Sequence, residues 1–203
     1  MTDVPGWYGK LPALGDFASR RLTPAWVAQW DAWLAEGLHQ LREAAPETWL
    51  ADYLASPAWR FALLPGSLPD GSGEGLRVGV MIPSVDRVGR YFPLVVVSPP
   101  LPRPTGADIA ALWRWTSQLE EIAVAALHDD WTAEALDAAL AHPHPPAPAA
   151  TDAAVPAALS DLLAQAAWDG LQGCSLWLHA GADPSVHPAL PRGAAFAALF
   201  RPH

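Results

Sequence analysis

An α+β fold with a mainly antiparallel sheet of about five strands covered by helices is predicted by three observations. Two apolar, β-branched runs, Arg77 to Ile82 and Tyr91 to Val97, flank a short polar loop and read as paired strands. Trp26, Trp30, Trp33, Leu34, Leu38 and Leu41 recur at intervals of three and four, the period of a helix with one buried face. The element order, strand, helices, three strands, helices, strand, helix, lacks the regular βαβ alternation that a parallel sheet requires.

Taken in order, Gly6 to Pro12 predicts a first strand stopped by proline, and Ala13 to Phe17 a turn. Thr23-Pro24 is a helix start, with threonine as N-cap and proline in the first turn, and the tryptophan stripe follows it. Pro46 is expected to open a second, shorter helix through Trp49, Tyr53 and Leu54, ending at Ser56-Pro57. Ala58 to Leu64 alternates and then runs apolar as a strand does, and the glycine-rich stretch Gly66 to Gly75 predicts a mobile loop. The prolines of Ser98 to Pro104 leave the sheet as a stiff connector, although their spacing also suits a polyproline ligand of the SH3 type. A long helix from Asp108 buries Ile109, Leu112, Trp113, Leu119, Ile122, Ala123 and Ala126, and Thr132 begins a short one with Glu134 in its first turn. A Pro/Ala-rich linker is expected near 143–155, and helical spacing resumes from Val155 to Trp168. Cys174 to His179 is read as the last strand, and Ala194 to Phe200 as a closing helix.

Composition bounds the function. A chain of 203 residues buries roughly 70% of its unfolded surface, so a single domain over 1–203 with a substantial core is expected. Charged residues make up 16% and hydrophobic ones 51%, which excludes disorder, and no apolar run reaches the roughly 18 residues of a membrane span. Met1-Thr2-Asp3-Val4-Pro5 has no export signal, so a cytoplasmic location is expected. The single cysteine, Cys174, excludes an internal disulfide and a cysteine-rich metal site. A net charge of −9 argues against nucleic acid and anionic lipid, leaving protein as the expected partner. The 11 tryptophans fall mainly in predicted elements and are assigned to the core or its edge.

The stretch Met81 to Pro93 is where chemistry concentrates. It places Ser84, Asp86, Arg87 and Arg90 between two buried strands. Pro83 cannot donate to a strand ladder and Gly89 can take positive φ, so the chain leaves the sheet at one and turns back near the other. Two readings remain open: a turn that braces itself through an Asp–Arg pair, or a pre-organised polar patch that meets a partner or an anion. Enzyme signatures are missing: there is no Gly-x-Ser-x-Gly elbow, no His-Glu-x-x-His, no Cys-x-x-Cys and no dinucleotide fingerprint. Gly9-Lys10 lacks the spacing of a phosphate loop, and His142-x-His144 has no carboxylate at a defined distance, so neither cofactor nor metal is expected. Ser84, Asp86 and His179 form the one conceivable hydrolase-like triad, an alternative that would also use the nearby arginines on an anionic substrate.

Gly9-Lys10-Leu11-Pro12, Gly15-Asp16-Phe17, Pro57 to Phe61, Pro83 to Leu94 and Ser175-Leu176-Trp177 together resemble the TagF/ImpM family of type VI secretion accessory proteins, in order and over nearly the whole chain. The departures are Ala13-Leu14, where relatives carry small polar and basic residues, and His179, where a hydroxyl is common. The resemblance implies a cytoplasmic, non-enzymatic regulator in the form without a fused phosphatase. It implies post-translational repression of type VI secretion through a protein partner, such as a forkhead-associated scaffold or another component of the system. The family's characteristic polar positions map to Lys10, Asp16, Trp59, Arg60, Ser84, Asp86, Arg87 and Arg90, the candidates for binding a partner or an anion; none is implied to be catalytic. If the first turn and the central loop share one end of the sheet, Lys10 and Asp16 join Ser84, Asp86 and the arginines in one charged group.

Pro and Ala bury too little apolar area to offset the ordering of Ala147 to Val155. Limited proteolysis is expected to cut there first; a first cut within Trp26 to Leu41 would remove that helix from the core.

Overall fold

The computed structural model describes residues 4–68, 75–141, 164–165, 167–180 and 182–200. Within them the chain forms β1 (Gly6–Gly9), β2 (Ala18–Arg20), α1 (Pro24–Ala44), α2 (Trp49–Ala55), β3 (Trp59–Leu63), β4 (Arg77–Ile82) and β5 (Leu94–Val97). It continues through α3 (Gly106–His128), α4 (Ala133–Leu140), β6 (Cys174–Leu178), β7 (Ser185–Pro188) and α5 (Ala194–Ala198). The seven strands make one sheet, ordered β2-β1-β5-β4-β3-β6-β7, in which every neighbouring pair is antiparallel.

Both faces of the sheet are covered. Tyr8, Trp59, Phe61, Leu63, Met81, Val95, Val97 and Trp177 face α1, Tyr53 of α2, and α5. Trp7, Val78, Val80, Leu94 and Val96 face Trp115, Leu119 and Ala123 of α3 and Leu136 and Leu140 of α4. Double coverage explains why β4 and β5 read as continuous apolar runs instead of alternating. They pair as expected, with Gly79 opposite Val97 and Met81 opposite Val95.

The α1 start follows its sequence signal. Thr23 accepts a hydrogen bond from the Trp26 amide at 3.2 Å, Pro24 occupies the first turn, and the buried stripe runs from Trp26 to Leu41. Indole N–H groups mostly find acceptors inside the fold: Trp33 donates to the Pro191 carbonyl, Trp59 to Leu199 and Trp7 to Asp137, each at 2.7 Å. Asp108 accepts from the Thr105 amide at 2.8 Å, which starts α3 two residues ahead of the expected Asp108.

Several boundaries differ from expectation. Pro46 ends α1 and does not open α2: the residue before a proline is driven out of the α region, and Ala45 takes φ −143, ψ 62, so α2 begins only at Trp49. Two strands were not expected, β2 and β7, and Cys174–Leu178 is therefore not the last. Both lie at sheet edges, span three and four residues, and contain no fully buried position. Short, polar edge strands avoid exposing an apolar template and so carry little hydrophobic signal. The Pro/Ala linker lies outside the described residues, as do 69–74 of the glycine-rich loop and most of the expected 155–168 helix; 164–165 and 167–168 of it are helical, and helical residues continue to 170.

Gly37 marks the closest approach of α1 and α5. A Cβ there would sit 2.4 Å from the Phe196 ring. Alanine normally gains about 1 kcal/mol over glycine in a helix, whereas overpacking costs about 1–3 kcal/mol, so Gly37→Ala is expected to lower Tm by a few degrees. Adding Phe196→Leu should restore part of the loss, a coupling that a thermal double-mutant cycle measures.

Candidate functional site

The polar stretch leaves β4 at Ile82 and is locked by main-chain bonds before any charge is considered. The Ser84 amide donates to the Tyr53 hydroxyl, and that hydroxyl donates to the Ser84 carbonyl, each at 2.8 Å. Burial pushes the Tyr53 phenol well above its ordinary pKa, so it keeps the proton that the second bond requires. The Ser84 hydroxyl donates to the Lys10 carbonyl at 2.8 Å, tying the loop to the end of β1. Past Ser84 the chain closes a turn in which the Asp86 amide donates to the Arg90 carbonyl at 3.1 Å, and the Gly89 amide donates to the Asp86 carbonyl at 3.0 Å. Gly89 takes φ 83, the positive value expected of it.

Asp86 is at the centre. Its side chain is fully enclosed, and its two oxygens accept four hydrogen bonds. Oδ1 takes the amides of Val88 at 3.0 Å and Arg90 at 2.9 Å. Oδ2 takes Lys10 Nζ and Arg90 Nε, each at 2.7 Å. Burial by itself would raise the pKa of this carboxyl; the Lys10 ammonium, the Arg90 and Val88 amides and the Arg90 guanidinium outweigh it and hold the group well below the usual carboxylate range. Lys10 is itself buried, with Nζ 4.0 Å from the centre of the Phe17 ring.

The first turn is fastened to the same loop. The Arg87 amide donates to the Leu14 carbonyl at 2.8 Å, Arg90 Nη2 donates to the Gly15 carbonyl, and the same nitrogen lies 3.8 Å from Asp16 Oδ1. Phe17 packs edge-on to Phe92, with centroids 4.8 Å apart, and stacks on Tyr8. Lys10, Asp16, Ser84, Asp86 and Arg90 thus form one group at one end of the sheet, with Arg87 on its outer side. Trp59 and Arg60 do not join it. As adjacent residues of β3 they face opposite sides of the sheet: Trp59 enters the α1-side core, edge-on to His179 with ring centres 4.6 Å apart, while Arg60 pairs with Glu120 of α3 and lies 5.4 Å from the Trp113 ring centre.

Chemically, the inner part of the group is saturated. Asp86 has no oxygen left over to orient a base, and the Ser84 hydroxyl donates into a main-chain carbonyl. What faces outward is different: Arg87 is exposed and forms no ion pair among the described residues, and Val88 and Phe17 are 64% and 41% exposed. Among the described residues no set of three His, Cys, Asp or Glu side chains is placed to hold a metal, and no helix is long and apolar enough to cross a membrane. Sequence reasoning missed Tyr53, which reads only as an apolar position of a short helix, and Phe17, whose ring covers Lys10.

Residues 6–142, which include every candidate site residue, match the family described as TagF N-terminal domain, type VI secretion system-associated. The chain belongs to this family. It is also similar to the crystal structure of PA0076 from Pseudomonas aeruginosa PAO1, at 36% identity and a TM-score of 0.80, covering 98% of this chain and 94% of that one. No curated protein matches. The TagF membership agrees with the resemblance carried by Gly9 to Pro12, Pro57 to Phe61 and Pro83 to Leu94.

The saturated carboxylate predicts a pH signature. Because the folded-state pKa of Asp86 is lowered, its contribution to stability is fully present above its ordinary value of 3.8 and is lost as pH falls below that value toward the lowered one. Asp86→Asn should therefore melt lower at pH 7 and show a shallower decline of Tm on acidification, the remaining slope coming from other lowered carboxyls such as Asp137. Lys10→Met, which leaves Asp86 with one cation, should lower Tm by on the order of 10 °C at pH 7. Melting curves between pH 7 and pH 2 check both.

Proposed function

We propose that this TagF-family domain is a non-enzymatic, cytoplasmic accessory protein that represses type VI secretion system assembly by binding a protein partner, and that the outer face of the 83–92 loop is part of the contact. The observation that carries this reading is the contrast within one loop. Its base is locked by saturated hydrogen bonds, while Arg87, Val88 and the neighbouring Phe17 stand out from it with apolar and guanidinium surface. A rigid loop that presents such groups loses little conformational entropy on binding, and arginine and aromatic side chains anchor interfaces more often than other residues. The partner that fits the family's place in the system is a forkhead-associated scaffold or another secretion component. Catalysis has no support in the arrangement around Ser84, whose hydroxyl is engaged by the Lys10 carbonyl.

Arg87→Ala and Val88→Asp are expected to leave Tm within about 2 °C of the parent, because both side chains are exposed and surface changes cost little. Affinity for a type VI forkhead-associated scaffold should fall at least about 30-fold, or about 2 kcal/mol, by titration calorimetry. Unchanged affinity for both variants removes the loop from the interface. Hydrolysis of an ester or phosphate substrate that disappears in Ser84→Ala would replace the binding reading with an enzymatic one.

A further inference from the structure

At the opposite end of the sheet from the Asp86 loop lies a cavity of about 390 Å³ that no part of the preceding reading uses. Its wall is formed where β1 and β4 begin, where β5 ends and where α1 starts: Val4, Arg21, Trp26, Arg77 and Ser98 line it, with Leu22 and the prolines after Ser98. Among the described residues no carboxylate lines it.

Arg77 is the informative residue. Its guanidinium has five N–H donors, yet its one hydrogen-bond acceptor among the described residues is the Ser98 carbonyl, 3.0 Å from Nη1. Nε is enclosed and unpartnered, no described carboxylate forms an ion pair with the guanidinium, and burial pushes its pKa down. The Trp26 indole N–H, on a side chain 4% exposed, is likewise enclosed without an acceptor. Two side chains that line one cavity thus each carry an enclosed N–H without an acceptor, whereas buried polar groups are as a rule paired. The N-terminus of α1, a helix of 21 residues with no acidic residue in its first turn, adds positive potential at the same place.

The other cation of the wall is already engaged. Arg21 Nη2 binds Asp137 Oδ1 at 2.8 Å, and Arg21 Nε donates to the Pro5 carbonyl at 2.8 Å. Counted over the described residues, the cavity offers about one uncompensated positive charge, which matches a monoanion better than a phosphate dianion. Val4, Leu22, Trp26 and the two prolines supply apolar walls, and the volume admits roughly a dozen water-sized groups, far more than a bare carboxylate fills.

We propose that this cavity is a binding site for a monocarboxylate borne on an apolar body, with Arg77 as its charge partner and the Trp26 face of α1 as its apolar wall. A ligand of this kind supplies an acceptor for Nη2 of Arg77, which has none among the described residues and is not enclosed, and it covers exposed apolar wall. The site is independent of the 83–92 loop, so its failure leaves the proposed function untouched.

The probes are N-acetyl-phenylalanine, its uncharged amide, acetate and inorganic phosphate, each titrated into the full chain while Tm is followed. N-acetyl-phenylalanine at a hundredfold excess over its Kd should raise Tm by roughly 5–10 °C, and the other three should raise it far less. Arg77→Met, which keeps the aliphatic stem, should melt at or above the parent temperature, because it removes an uncompensated half-buried charge, and should abolish the rise. Arg114→Gln, at an exposed position of α3, should keep it. The proposal is overturned if no probe raises Tm, if the amide or phosphate does so equally, or if Arg77→Met retains the response. A loss of several degrees in Arg77→Met without ligand would assign Arg77 to bracing the Ser98 carbonyl, and would overturn the site as well.

Discussion

The enclosed Asp86 carboxylate is the constraint on which the end of the sheet depends. A carboxylate out of water is costly unless its lone pairs are used, and here four donors from two segments converge on it. Two of them, the Val88 and Arg90 amides, come from its own turn and shape the loop. Lys10 comes from the end of β1 and reaches across 76 residues of sequence. Because β1 pairs with β5, the ion pair and the strand register specify the same neighbour from two directions. Arg90 extends the linkage to the Gly15 carbonyl, so the first turn, the hairpin loop and the β1–β5 pairing are tied together.

The aromatic core sets how that end is supported from below. Trp30 lies between Trp26, Trp33 and Phe61, with ring centres 4.9 to 5.1 Å apart, and Trp33 continues the packing to Phe196 of α5. Such rings bury large area with few rotatable bonds, and several also anchor polar edges to distant carbonyls, which fastens α1 to the C-terminal segment. Tyr53 belongs to this layer, stacking on Phe200 with ring centres 5.5 Å apart while its hydroxyl clamps Ser84. One side chain thus transmits the packing of the helical layer into the geometry of the loop.

The two ends of the sheet use charge in opposite ways. At the Asp86 end every enclosed charge has its partner, and only the outermost groups remain for recognition. At the Arg77 end a half-buried guanidinium lacks a described counter-ion beside an open cavity. The first arrangement favours a rigid surface whose exposed side chains do the selecting. The second favours a ligand that brings its own charge and apolar body.

By itself the sequence determined what local period and local chemistry can encode. Thr23-Pro24 and the tryptophan spacing specify α1, Pro83 and Gly89 specify where the hairpin loop departs and turns, and the unbroken apolar runs specify the central strands. The family motif marked most of the site, because Ser84, Asp86, Arg87 and Arg90 lie in one short stretch. Tertiary structure decided everything that depends on a remote partner. The edge strands β2 and β7 exist through pairing with β1 and β6 and have no core-facing pattern of their own. Lys10 and Tyr53 acquire their roles only when folding brings them to Asp86 and Ser84, and Trp59 and Arg60, adjacent in sequence, are sent to opposite faces by the pleat of β3. Local signals record a residue's period and turn chemistry; which charge meets which is settled in space, where the sheet order places segments that the chain keeps far apart.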